Sequence, residues 1–365
     1  MKLRTKKKLA LAFTIMGVAV LAFASYKVYR IITAYPYTTT TISENKKIEL
    51  EIPRGTTFNE IMVMLKEQKL IKTPLFFRLY TMFVYGDVNI QTGRYQLRSN
   101  MNKKQILKTL LAGPIIKLVK VTVPEGKHML QTAEILAKKG LVKKEEFLKK
   151  IKDPALIKSL GLDAPNLEGY LFPETYKFRQ GVTTEKVIKT MVKAYQKTWN
   201  RLKHKYFKSF RRLQANFKFN SRDIVIMASL IEKETGVSKE RPLIASVFLN
   251  RLSFDWFKPK LLQTDPTIIY GCTVPSNKSQ ACSKFKGRIR RIHLRDPDNP
   301  YNTYTHAGLP PGPICSPGKA ALRSVLQPAQ TKFLYFVAKT PGGEHYFSKS
   351  RQEHEKAVKK YILTQ

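Results

Sequence analysis

Ser221-Arg222-Asp223-Ile224-Val225-Ile226-Met227-Ala228-Ser229-Leu230-Ile231-Glu232-Lys233-Glu234-Thr235-Gly236 is the most informative stretch of this chain. A polar opening, an unbroken apolar run and a closing glycine predict a largely buried helix that ends at Gly236. Helical spacing carries the apolar row Ile224, Met227, Ile231 on to Glu234. Glu232 projects about 160° away from it, two residues at about 100° each. A carboxyl on an apolar face has its charged form disfavoured, so its pKa rises and it can stay protonated as a general acid. Glu234 is therefore the candidate acid and Glu232 the alternate. An ordinary ion pair or helix-end carboxylate fits the same pattern.

Downstream, Pro242 opens a second helix whose apolar positions Ile244, Val247, Phe248 and Leu252 deliver Asn250 and Arg251 to its far end. Leu262-Gln263-Thr264-Asp265-Pro266-Thr267 reads as a turn rich in hydrogen-bonding side chains, of the kind that can read sugar hydroxyls. Pro300-Tyr301-Asn302-Thr303-Tyr304 and Gly308 to Ile314 read as stiff, non-helical segments. Aromatic and amide side chains on such loops suit an extended carbohydrate groove. Near the C-terminus, Phe333 to Ala338 and His345 to Phe347 flank Pro341-Gly342-Gly343 as a hairpin, followed by a helix from about Arg351 to Ile362.

Upstream, Ile48 to Ile52 alternates as a strand, stops at Pro53-Arg54-Gly55, and gives way to a helix with Phe58, Ile61, Met62 and Leu65 on one face. The same plan recurs from Val119, with Pro53 matching Pro124, Gly55 matching Gly126 and Leu65 matching Leu136 at a constant offset of 71. From Thr183 to about Phe217 the pattern is helical and basic, with Trp199, Tyr206 and Phe210 interleaved. An amphipathic helix explains this better than a nucleic-acid surface. Strands and helices in irregular order predict an α+β protein.

At the N-terminus, Lys2, Arg4, Lys6, Lys7 and Lys8 precede an uncharged run from Leu9 to Tyr26, followed by a Thr-rich stretch, Thr38 to Thr41. At about 1.5 Å per residue the run covers roughly 27 Å, close to a bilayer core. The reading is a cytoplasmic basic tail (1–8), an uncleaved anchor (9–31) and an extracytoplasmic bulk at the inner membrane. A signal peptide cleaved near Ala22-Phe23-Ala24 is the competing reading, though the apolar run exceeds the usual signal core. The formal charge of +40, from 66 Lys and Arg against 26 Asp and Glu, predicts attraction to polyanions without choosing among nucleic acid, anionic lipid and acidic wall polymer. An outside location disfavours nucleic acid. Cys272, Cys282 and Cys315 form no CxxC pair and have no His at ligand spacing, so no metal site is expected. Cys272 and Cys282 could pair in an oxidising compartment, or all three could stay unlinked.

Taken together, Leu167 to Tyr176, Ala228 to Thr235, Ala245 to Leu252, Leu262 to Thr267, Tyr301 to Tyr304 and Gly308 to Ile314 resemble, in order, the endolytic murein transglycosylases of the YceG-like family. The resemblance implies a LysM-like peptidoglycan-binding module at 46–115 and a catalytic region at 116–365. It implies cleavage within glycan strands between N-acetylmuramic acid and N-acetylglucosamine, leaving 1,6-anhydro ends and terminating strand elongation. No cofactor or metal is implied. Peptidoglycan synthases are the implied protein partners. The acid/base role carries to Glu234, electrostatic support to Asp265, and substrate contacts to Asn250, Gln263, Tyr301, Asn302 and Tyr304. A hydrolytic muramidase on the same fold, or a noncatalytic peptidoglycan-binding scaffold, is the alternative. Two features depart from the family pattern: the longer, basic segment between Tyr270 and Tyr301, and the charge itself.

Overall fold

The computed structural model describes residues 2–34, 45–115 and 117–363; the Thr38–Thr41 stretch, and the side chains of residues 2–12 and 32–33, lie outside that description. The chain divides into two compact units, the first ending at Lys117 and the second beginning at Leu118.

The first unit opens with helix α1 (Lys2–Ala34). There follow β1 (Lys47–Ile52), α2 (Phe58–Glu67), α3 (Pro74–Tyr85), β2 (Gly93–Arg98) and α4 (Lys103–Leu111). Strands β1 and β2 pair antiparallel, with Leu50 opposite Tyr95 and Ile48 opposite Leu97. Alternation along β1 turns Leu50 and Ile52 inward, where they meet Ile61 and Leu65 of α2, Phe77 of α3 and Ile106 of α4 in one core.

The second unit repeats this order. β3 (Leu118–Thr122), α5 (Met129–Lys138), α6 (Lys144–Lys150) and α7 (Pro154–Ser159) lead to β4 (Thr175–Arg179), which pairs antiparallel with β3, Val121 facing Tyr176. The 71-residue offset holds at the level of helix caps. Thr57 caps α2 in a reciprocal box with Glu60, and His128 caps α5 in the same box with Gln131. Gly55 and Gly126 hold φ of +84° and +74° in the turn before each helix, a left-handed backbone that glycine adopts without a Cβ penalty. The correspondence ends at the return strands, because the second copy inserts α7 and the Leu167–Glu174 segment before β4.

Beyond β4 lie α8 (Thr184–Lys205), α9 (Phe207–Phe217), α10 (Ser221–Glu234), α11 (Arg241–Ser253), α12 (Asp265–Thr273), the one-turn helices α13 (Gln280–Ser283) and α14 (Arg291–Leu294), α15 (Lys319–Leu326), the hairpin β5 (Tyr335–Ala338) and β6 (His345–Ser348), and α16 (Arg351–Val358). Three two-stranded antiparallel sheets among many helices make the described chain mixed α+β, with one apolar N-terminal helix. α10 is the axis of the second core. Every residue from Ile224 to Ile231 is buried, against α11, α12 and α15. The basic stretch 183–217 forms two helices with apolar inner faces, including Val187, Met191, Tyr195, Trp199, Phe210 and Leu213. In the basic segment after Tyr270, Cys272 and Cys282 are joined by a disulfide inside a small separate core with Ile268. Cys315 is free and buried.

Candidate active site

α10 starts on Asn220, whose side chain accepts from the amides of Arg222 and Asp223 while Asp223 returns the bond. The helix then crosses the core and stops at Glu234, two residues before the expected glycine, where Thr235 turns extended. Its last turn releases the two glutamates into different surroundings.

Glu232 is a committed ion-pair residue. Arg241 Nη2 donates to its Oε1 at 3.0 Å and the Gly318 amide donates to Oε2 at 2.8 Å, with both side chains nearly sealed from water. Bonds of this kind fix the side chain in one place.

Glu234 has the opposite environment. It lines a cleft of about 930 Å³ together with Arg251, Gln263, Asp265, Tyr304 and Tyr335. Its Oε1 is buried without a hydrogen-bond partner among the described residues. Burial, and then the neighbouring Asp265 charge, push its pKa up to about 8, with Arg251 and the Thr264 hydroxyl pulling the other way. At neutral pH this carboxyl keeps its proton.

The loop chemistry explains how the other cleft groups are placed. Thr264, Thr267 and Thr303 are buried and bond one another: the Thr264 amide donates to Thr303 Oγ1 at 2.9 Å, and the Thr267 and Thr303 hydroxyls lie 3.0 Å apart. The Gln263 amide donates to the Thr303 carbonyl at 3.0 Å, with Gln263 at φ +51°, uncommon for a residue with a Cβ. These threonines clamp two loops, leaving Gln263, Asp265 and Tyr304 between them to line the cleft. Asp265 opens α12, with Pro266 in the first turn, where the sequence suggested only a turn. Tyr304 donates to Asp265 Oδ1 at 2.6 Å.

Three of the sequence-derived groove residues lie elsewhere. Asn302 is fully buried, donating to the carbonyls of His293, Leu294 and Asp296 and accepting from the Tyr304 amide, so it staples its own loop instead of facing a groove. Asn250 spends its amide on the carbonyls of Thr331 and Phe333, both at 2.9 Å, and lines a different, smaller cleft. Tyr301 packs on Tyr270 at 4.8 Å, and with Glu168 and Arg222 borders a small recess. Arg222 and Glu234 sit at opposite ends of α10, twelve residues or about 18 Å apart. In a tight turn, neighbouring side chains leave in different directions, so one motif can serve two places.

Arg251 and His354 complete the Glu234 cleft. Arg251 is buried, donating from Nε to the Leu334 carbonyl at 2.7 Å and from Nη1 to the Leu262 carbonyl at 2.5 Å, its guanidinium over the rings of Phe257 and Tyr335. Burial lowers its pKa to about 10, so it remains a cation beside Glu234. The sequence placed Arg251 at a helix end without a role. His354, on α16, stacks on Tyr335 with centroids 5.1 Å apart, and burial, then Arg251, lower its pKa from the usual histidine value. Nothing local in the sequence ties residue 354 to residue 234. A neutral acid, a carboxylate and a buried cation facing one cleft can donate a proton to a bound ligand and stabilise positive charge developing on it.

The YceG-like family model matches residues 50–360 of this chain. An endolytic murein transglycosylase of Bacillus subtilis (strain 168) is 34% identical over 330 residues, covering 86% of this chain and 85% of its own length. An endolytic murein transglycosylase of Streptococcus pneumoniae serotype 2 is 30% identical over 348 residues, covering 88% of this chain; this chain spans only 59% of that relative. A crystal structure of a YceG-like protein from Listeria monocytogenes aligns with a TM-score of 0.53 at 34% identity, over 86% of this chain and 99% of that one.

Proposed function

The chain belongs to the YceG-like family, and from that membership and the Glu234 cleft we propose that it is an endolytic murein transglycosylase with Glu234 as its single acid/base. The bond cut is that between N-acetylmuramic acid and N-acetylglucosamine inside nascent strands, and the cut ends their elongation. The N-terminal helix anchors it in the inner membrane with the bulk outside. Residues 46–115 serve as a LysM-like peptidoglycan-binding module ahead of a catalytic region at 116–365, and peptidoglycan synthases are its protein partners.

The observation that carries this reading is a carboxyl held neutral beside an ionisable neighbour. Protonated Glu234 gives its proton to the departing glycosidic oxygen as the bond from the muramic C1 breaks. Asp265 stabilises the positive charge that develops at that carbon. The Glu234 carboxylate then takes the proton of the sugar's own C6 hydroxyl as that oxygen bonds to C1. Glu234 ends as it began, no water is consumed, and the product is a 1,6-anhydro ring. Hydrolysis is the second reading, because Asp265 beside Glu234 supplies the second carboxyl that water activation requires. It predicts reducing ends.

Mass spectrometry of products from uncrosslinked strands tests both, comparing wild type with Glu234→Gln and Glu232→Gln. Anhydro ends are expected from wild type, falling by about 10²-fold or more in Glu234→Gln, the usual worth of a positioned acid. Glu232→Gln should lower stability and leave the product chemistry intact. Reducing ends from wild type would assign a muramidase. Full activity in Glu234→Gln, or strand binding without cleavage in wild type, would sink the proposed mechanism.

A further inference from the structure

A second cleft of about 770 Å³ lies in the same unit, between the Gly161–Pro165 segment, α8 and the start of α10. Tyr170, Tyr195 and Trp199 form its wall, and each is at least nine-tenths buried. Their rings are committed to packing, Tyr170 edge-on to Tyr195 at 5.1 Å and Trp199 edge-on to Phe210 at 5.7 Å. Their polar heads are not. Among the described residues no group bonds Tyr170 Oη, Tyr195 Oη or Trp199 Nε1, and none of the three is a sealed, unpartnered atom, so each opens onto the solvent of the cleft. Three such heads on the wall of one cleft, with the Asn200 amide at its edge, present donors and acceptors to whatever enters.

Charge identifies the class of ligand. The chain carries +40, yet the titrating charges lining this cleft are one acid, Asp163, and one base, Arg222, and Arg222 is engaged in donating to the Pro311 carbonyl at 2.6 Å. A polyanion site in so basic a protein would be rich in lysine and arginine. A neutral ligand with mixed donors and acceptors fits instead. Resting on the proposed action on murein, we infer that this cleft is a second glycan site, binding a stretch of N-acetylated amino sugars through hydroxyl and acetamide groups. It lies at the opposite end of α10 from Glu234, about 18 Å away along the helix. There it grips the strand remote from the cut, where binding energy holds the strand without taking part in bond breaking.

The chain has two tryptophans, Trp199 and the exposed Trp256, so Trp256→Phe leaves Trp199 as the only tryptophan, which is excited selectively beyond the tyrosine absorption. The detergent-solubilised full chain carrying that change is titrated with an N-acetylglucosamine oligosaccharide while Trp199 emission is followed. A saturable shift is expected, and adding Tyr170→Phe and Tyr195→Phe, which keep both rings, should weaken binding about tenfold, or 1.4 kcal/mol. Thermal melts of the Phe variant confirm that it is folded. A silent Trp199, an affinity unchanged by the Phe pair, or the same shift from a sulfated polysaccharide or a stem peptide would overturn the inference. Cleavage of strands with Trp199 silent refutes this cleft and leaves the proposed activity standing. A Trp199 response without strand cleavage does the reverse.

Discussion

Glu232 and Glu234 differ by two positions, and the whole chemical reading turns on which of them is kept neutral. The sequence separated them by geometry alone: a residue continuing the row Ile224, Met227, Ile231 faces the interior, and its neighbour but one does not. What the sequence left open was the partner of each. Arg241 lies nine residues beyond Glu232, and Gly318 lies 86 beyond it, so that pairing depends on how the chain returns. The burial of Glu234 has a stability consequence. Its proton is held more tightly in the folded chain, with a pKa of about 8, than in the unfolded chain, near 4.3. That binding contributes stability that is fully present below about pH 4.3 and is lost as the pH rises toward 8, because the unfolded state ionises freely while the folded state resists. Glu234→Gln has no proton to lose. Its stability relative to wild type should therefore improve steadily from pH 5 to pH 8, by roughly 3 to 4 kcal/mol at 1.36 kcal/mol per pKa unit. Urea denaturation of both proteins across that range measures it. A difference independent of pH would mean that Glu234 titrates normally, removing the basis for its role as an acid.

At the scale of elements, the strand, Pro-x-Gly turn and capped helix were legible twice over, because each depends on residues within a few positions of one another. The return strands and the contacts that close the second copy were not. Glu168 shows why. Its fully buried carboxylate accepts from the Met129 amide at the start of α5, 39 residues away, and from the Tyr270 hydroxyl on α12, 102 residues away. No periodicity signals such a link. Within the Leu-Glu-Gly-Tyr segment it looks like any loop acid, and the family resemblance marked the segment without saying what the residue does. Glu168 ties a helix of the repeat to α12, the helix that Asp265 opens, despite burial that raises its pKa to about 7. Glu168→Ala leaves a buried amide and a buried phenol unpartnered, which should cost roughly 2 to 4 kcal/mol. Glu168→Gln keeps one acceptor oxygen and should cost less. Chemical denaturation of the pair decides: a loss under about 0.5 kcal/mol in the alanine variant would mean that the carboxylate is no structural tie.

For the molecule as a whole, the proposed anchor and outward-facing bulk make a prediction that the cysteines can test independently of charge. From Phe13 to Ile31 helix α1 is apolar and none of its residues is buried, with Leu21 at 69% and Phe13 at 62% exposure, so lipid is the natural solvent for that surface. With Lys2, Arg4, Lys6, Lys7 and Lys8 on its N-terminal side, the positive-inside tendency supports the outward-facing bulk proposed above. The Cys272–Cys282 disulfide fits that direction, since such bonds persist outside the cytoplasm and are rare within it. Cys315 is buried and far above the usual thiol pKa through that burial, so it stays a thiol in either compartment. Alkylation of the denatured chain, quenched directly from cells, therefore reads topology as a count of thiols. One label per chain before reduction and three after it are expected for an outward-facing bulk. Three labels before reduction would place residues 272–315 in the cytoplasm, out of reach of murein. The charge of +40 would then have to be explained by nucleic acid, with the steep salt dependence that counterion release imposes.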